Sequence, residues 1–136
     1  MSKKVFSCDL KNLSDIRAFV ADSLNEYGIR TEIREQLILA TDEACANTII
    51  HSNHCCNQRF IELSLDIIPE QKIAIQITDA GKTPELPNEI QINIQENIRC
   101  GKRGGMGLYL MQEMVDQIIR FHESGKNITI LEKRLN

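Results

Sequence analysis

The sequence has no tryptophan and only six other aromatic residues, two Tyr and four Phe, in 136 positions. That scarcity leaves little material for a platform on which nucleic-acid bases stack. Basic charge is not in excess either: 16 Lys and Arg stand against 19 Asp and Glu, for a net charge of −3. A general nucleic-acid binder normally carries a basic face, so direct nucleic-acid contact is not expected. Long apolar runs are missing too. Stretches such as 18–21 and 37–40 fall far short of the ~20 residues that cross a bilayer, so no membrane partner is expected. Lys3 and Lys4 could open a secretory leader, but Asp9 and Lys11 interrupt the apolar segment a leader needs. The five cysteines (Cys8, Cys45, Cys55, Cys56 and Cys100) form no C-x-x-C pair. They read as reduced thiols of a cytoplasmic protein. His51, His54, Cys55 and Cys56 cluster in sequence, yet no second ligand pair stands at zinc spacing.

What is present fits one domain over residues 1–136, since 42% hydrophobic and 26% charged residues are ordinary for a globular chain. Phe6, Cys8 and Leu10 alternate as in a strand. Ile16, Phe19, Val20 and Leu24 recur at helical spacing from Ser14 to Tyr27, and Gly28 comes next as a stop. Thr31 is placed to cap a second helix running to about His51, with Ile33, Leu37, Ala40 and Ala44 as its apolar stripe. Residues 53–58 are a polar connection. Phe60–Ile68 and Lys72–Thr78 alternate as strands around a turn at Pro69–Gln71. A long stretch from Asp79 to Arg103, with Pro84 and Pro87, has little periodicity, and a loop of that length is more often functional than accidental. A helix is expected from Gly107 to about Val115. Gln117–His122 and Ile128–Arg134 then form a hairpin around Ser124-Gly125. The order β-α-α-β-β-loop-α-β-β predicts an α+β fold: a two-layer sandwich of helices on one face of a mixed, mostly antiparallel sheet.

Four of the seven glycines lie in Gly101-Lys-Arg-Gly-Gly-Met-Gly107, at the opening of a helix. Free N–H groups and the positive end of the helix dipole favour an anion such as phosphate, and Lys102 and Arg103 add charge. Two common phosphate motifs fail. Gly81-Lys82-Thr83 resembles the tail of a Walker A loop, but Gln76 stands where that loop needs glycine. Gly105-Met106-Gly107 lacks the third glycine of a dinucleotide fingerprint, because Leu110 occupies its place. Glu43 and Asn47 are four residues apart on the second helix and share a face. A carboxylate there can take a proton from a hydroxyl, and an amide oxygen can fill one magnesium position. Asp79 ends an apolar strand, where its carboxylate can accept from an exocyclic amine, and Gly81 leaves room for a flat ring.

Glu43-x-x-x-Asn47, Asp79-x-Gly81 and Gly105-x-Gly107, in that order, resemble the Bergerat ATP-binding domain shared by histidine kinases, gyrase and MutL. Within that group the chain is most similar to the bacterial anti-sigma-factor serine/threonine kinases. The segment from Leu37 to His51 looks like their first motif, and Gly104-Gly-Met-Gly-Leu-Tyr-Leu-Met111 like their last. The resemblance implies ATP and Mg2+ as cofactors. It implies Asn47 as magnesium ligand, Glu43 as base, and Asp79 with Gly81 as the adenine contact. It further implies that Arg103, Gly104, Gly105, Met106, Gly107 and Leu108 wrap the phosphates beneath a lid at 82–103, and that Thr129 supports Asp79. The expected partners are an anti-anti-sigma protein as phosphorylation substrate, a sigma factor, and a second copy in a homodimer. Thr48 departs from the alanine usual after the magnesium ligand, and residues 82–86 lack the Phe and Asp often found early in the lid. A complete histidine kinase is disfavoured, because no histidine precedes the first motif. A nucleotide-dependent regulatory module with little kinase activity is the alternative, and retention of Glu43 favours the enzyme.

Overall fold

The computed structural model describes residues 2–56, 58–80 and 111–135. Five strands make one sheet: β1 (Ser2–Ser7), β2 (Phe60–Ile68), β3 (Lys72–Asp79), β4 (Gln117–Glu123) and β5 (Lys126–Arg134). Their order is β1-β2-β3-β5-β4, and each of the four pairings is antiparallel. Two helices, α1 (Leu13–Glu26) and α2 (Thr31–Asn47), account for the other layer, and residues 111–114 are also helical. The expected two-layer α+β sandwich is what forms.

Alternation explains which face is covered. Ile61, Leu63 and Leu65 of β2, Ile73, Ile75 and Ile77 of β3, and Leu131 of β5 are all buried. They form one core with Ile16, Val20 and Leu24 of α1 and Leu37, Ala40 and Ala44 of α2. Burying a side chain of this size contributes about 1.5–3 kcal/mol. Phe6 of β1 meets Phe19 of α1 edge-on, with centroids 6.0 Å apart.

Local chemistry sets the boundaries. Gly28 adopts φ +65° after α1, and the Ile29 amide returns to the Leu24 carbonyl, closing the helix end. In the β4–β5 hairpin, Ser124 (φ 54°) and Gly125 (φ 77°) both take left-handed conformations, the two-residue turn whose twist suits a hairpin.

Two helix and strand starts or ends differ from expectation. Leu10 is not in the first strand: β1 stops at Ser7, and Asp9 caps a short 3-10 turn at Leu10–Asn12 through the Lys11 amide. Thr31 is not the cap of α2. Arg30 holds the extended cap conformation and Thr31 is already helical. The second helix does run to the expected region, with α geometry to Asn47 and a π turn over Thr48–Ser52. The start of the helix expected at Gly107 lies outside the described residues.

Candidate functional site

The C-terminal half of α2 is buried on every side. Ala40, Thr41, Asp42, Glu43, Ala44, Cys45 and Ala46 are all covered, although three of them are polar or charged. A solvated polar face would not look like this, because buried carboxylates require compensation. Asp42 has a structural partner: Arg17 of α1 donates to it at 2.8 Å. Glu43 retains 6% exposure and lies one helical turn before Asn47. The Asn47 amide nitrogen is buried and, among the described residues, makes no hydrogen bond. Leaving such a donor unpaired costs about 1–3 kcal/mol, a cost that stability alone gives no reason to keep. The helix changes pitch immediately afterwards, and single π turns inside helices recur at functional sites. Asn53 stabilises that turn by donating from its side chain to the Thr48 carbonyl at 2.9 Å.

Asp79 is the last residue of β3 and is 5% exposed. Register places it between Ile61 on β2 and Asn127 on β5, so its side chain lies on the core face. Asn127 donates from Nδ2 to Asp79 Oδ1 at 3.1 Å. The Asn127 oxygen in turn faces His122 Nδ1 at 2.9 Å. Arg120, next but one along β4, is near enough for the Asp79 charge to act on it. Burial lowers the Arg120 guanidinium below its ordinary value, while Asp79 opposes that shift. Thr129, expected to support Asp79, stands opposite Ile77 and Arg120; Asn127 is the β5 residue directly across from Asp79.

Cys8 connects these two halves. It is fully buried, and its thiol is pushed from 9.0 up to about 11, first by burial and next by the Asp79 charge. Cys45 of α2 is raised as well, by burial first, then by Asp42 and Cys8. Cys8 therefore lies within electrostatic reach of both Asp79 and Cys45. A testable consequence has a definite sign. Folded Cys8 keeps a proton that the unfolded chain releases near its ordinary value. The contribution of Cys8 to stability is thus complete below pH 9.0 and is lost as pH rises from there to about 11. Urea midpoints measured across that window should fall for the wild type and fall less steeply for Cys8→Ala.

Gly81, Arg103, Gly104, Gly105, Met106, Gly107 and Leu108, together with the lid expected at 82–103, lie outside the described residues. The structure thus sets Glu43 and Asn47 one turn apart at the end of α2 and Asp79 at the end of β3, and the glycine turn lies outside the described residues. Among the described residues no group of three or more His, Cys, Asp or Glu side chains could hold a metal by itself. A magnesium ion here would need phosphate and water as its remaining ligands. No described helix is long and apolar enough to cross a membrane. Sequence reasoning alone misses Asn127 and His122. The Ser124-Gly125 turn is their only signal, because a two-residue hairpin sets His122 opposite Asn127.

A family model, the histidine kinase-like ATPase domain, matches residues 6–133. This chain belongs to that family. Among its relatives, the histidine kinase-like ATPase resembles the serine-protein kinase RsbW of Staphylococcus aureus strain JH9. The two are 27% identical over 123 residues, covering 87% of this chain and 77% of the relative. RsbW of strain Newman matches to the same extent. Among solved structures, the RsbU and RsbW domains of Rv1364c from Mycobacterium tuberculosis share the fold, with a TM-score of 0.64 at 13% identity. That match covers 98% of this chain and 32% of the solved one, so this ATPase domain spans about a third of that larger protein. Its likeness within the family is thus to serine-protein kinases of the RsbW type.

Proposed function

We propose that residues 1–136 act as one ATP-binding domain and form an ATP-dependent serine/threonine protein kinase of the anti-sigma type. Its substrate would be a serine or threonine hydroxyl on an anti-anti-sigma protein of the STAS type. Its second partner would be a sigma factor, which it would sequester. The working form would be a homodimer in the cytoplasm. The observation that supports this reading is the Glu43–Asn47 pair at the end of α2, with Glu43 buried and the Asn47 amide nitrogen buried and unpaired among the described residues.

Each residue has a role suited to its chemistry. Asp79, anchored by Asn127, would accept a hydrogen bond from the adenine amine. Asn47 would offer its amide oxygen to magnesium, and its unpaired nitrogen fits a side chain reserved for a ligand. Magnesium, when bound, supplies positive charge against the phosphate oxygens. Glu43, on the same face as Asn47, would take the proton from the attacking hydroxyl. Gly81 would give the base room. The backbone from Gly104 to Leu108, with Arg103, would hold the phosphates.

Transfer of labelled phosphate from ATP to a STAS-type protein tests the reading. Transfer that requires magnesium supports it. ATP binding without transfer to any cognate partner would instead identify a nucleotide-dependent regulatory module.

A further inference from the structure

Asp79 is held by a chain of two hydrogen bonds whose direction can be assigned. A carboxylate only accepts, so the Asn127 group facing Asp79 at 3.1 Å is its Nδ2 donor. The other end of the same amide is an oxygen, which also only accepts. The atom 2.9 Å from it, His122 Nδ1, must therefore carry a proton and donate it. Asn127 is 4% exposed, whereas His122 is exposed at the rim of β4. An amide can turn over by half a rotation at little cost unless both of its ends are engaged. Turned over, Asn127 would aim its oxygen at the Asp79 carboxylate and repel it. His122 blocks that orientation by occupying the oxygen.

We infer that His122 is a positioning residue that latches the Asn127 amide, and that Asn127 in turn orients the Asp79 carboxylate for nucleobase selection. This inference rests on Asp79 being the adenine contact. It adds that selection of a 6-amino purine over a 6-oxo purine depends on two residues of the β4–β5 hairpin, neither of which needs to touch the base. The register permits this, since Asp79, Asn127 and His122 are successive cross-strand neighbours on β3, β5 and β4. Arg120 and Thr129 are the next pair along the same face.

Two readouts test this. Long-range proton–nitrogen NMR spectra of the wild type at about pH 8, above the ordinary imidazole range, report which ring nitrogen of His122 carries the proton. The latch requires it on Nδ1; a proton on Nε2 alone overturns the proposal. Calorimetry with ATP and with inosine triphosphate, which has an oxygen in place of the amine, gives a selectivity ratio. His122→Phe and Asn127→Ala should each reduce that ratio roughly tenfold, the scale of one hydrogen bond to a charged group. The double variant should match Asn127→Ala, because His122 acts only through Asn127. A purely structural role would lower the melting temperature and weaken both nucleotides alike. His122→Phe is an exposed change and keeps the test open if Asn127→Ala folds poorly. Unchanged ratios in the single variants, or multiplied losses in the double one, overturn the latch alone. A wild type that binds no ATP, or binds it no better than inosine triphosphate, overturns the adenine assignment of Asp79 as well.

Discussion

Glu43→Gln should abolish most phosphate transfer while leaving ATP bound. The substitution keeps the side chain's size and its ability to accept a hydrogen bond, and removes only its capacity to take up a proton. A positioned general base typically contributes about 10²–10⁴ in rate, so transfer to the partner should fall by that factor. The calorimetric ATP affinity should change little, because Glu43 has no assigned contact to the nucleotide. A transferase as active as the wild type would show that the proton leaves by another route. A joint loss of binding and transfer would show that Glu43 holds the site together.

Asn47→Ala should cost little stability and much magnesium-dependent affinity. Most buried polar side chains are tied into the fold, so their removal confounds structure with function. The Asn47 amide nitrogen has no hydrogen-bond partner among the described residues, so replacing it removes an unsatisfied donor. The melting temperature should stay within a few degrees of the wild type. ATP affinity in magnesium should fall by about 10–100-fold, the usual range for damage to a metal site, and should approach the affinity measured with chelator present. Equal losses with and without magnesium would move Asn47 from metal ligand to direct nucleotide contact. Unchanged affinity in magnesium would remove it from the site.

Much of the fold is legible in the residues themselves, for physical reasons that differ from place to place. Strands β2 and β3 alternate so regularly that period alone assigns Ile61, Leu63, Leu65, Ile73, Ile75 and Ile77 to the core. The Ser124-Gly125 turn is readable because few residues tolerate two consecutive left-handed conformations. Leu10 misleads because alternation over only three apolar positions cannot distinguish a strand from a strand leading into a 3-10 turn, and Asp9 imposes the turn. Thr31 looks like a cap by residue type, yet Arg30 already has the extended backbone a cap requires, so the helix begins at Thr31, one residue earlier than a Thr31 cap would allow. Glu43, Asn47 and Asp79 are singled out in the sequence by their spacing and order. Asn127 is not, because its role depends on pairing between β3 and β5, which lie 48 residues apart at that contact.

The central claim is that the end of α2 and the end of β3 serve a single adenine nucleotide. Nitrogen-labelled protein titrated with ATP in magnesium tests this directly, with the side-chain amides of Asn47 and Asn127 and the backbone amides of Glu43 and Asp79 as reporters. All four should shift together and saturate with one dissociation constant. Silence at either end, or two unrelated constants, would contradict it.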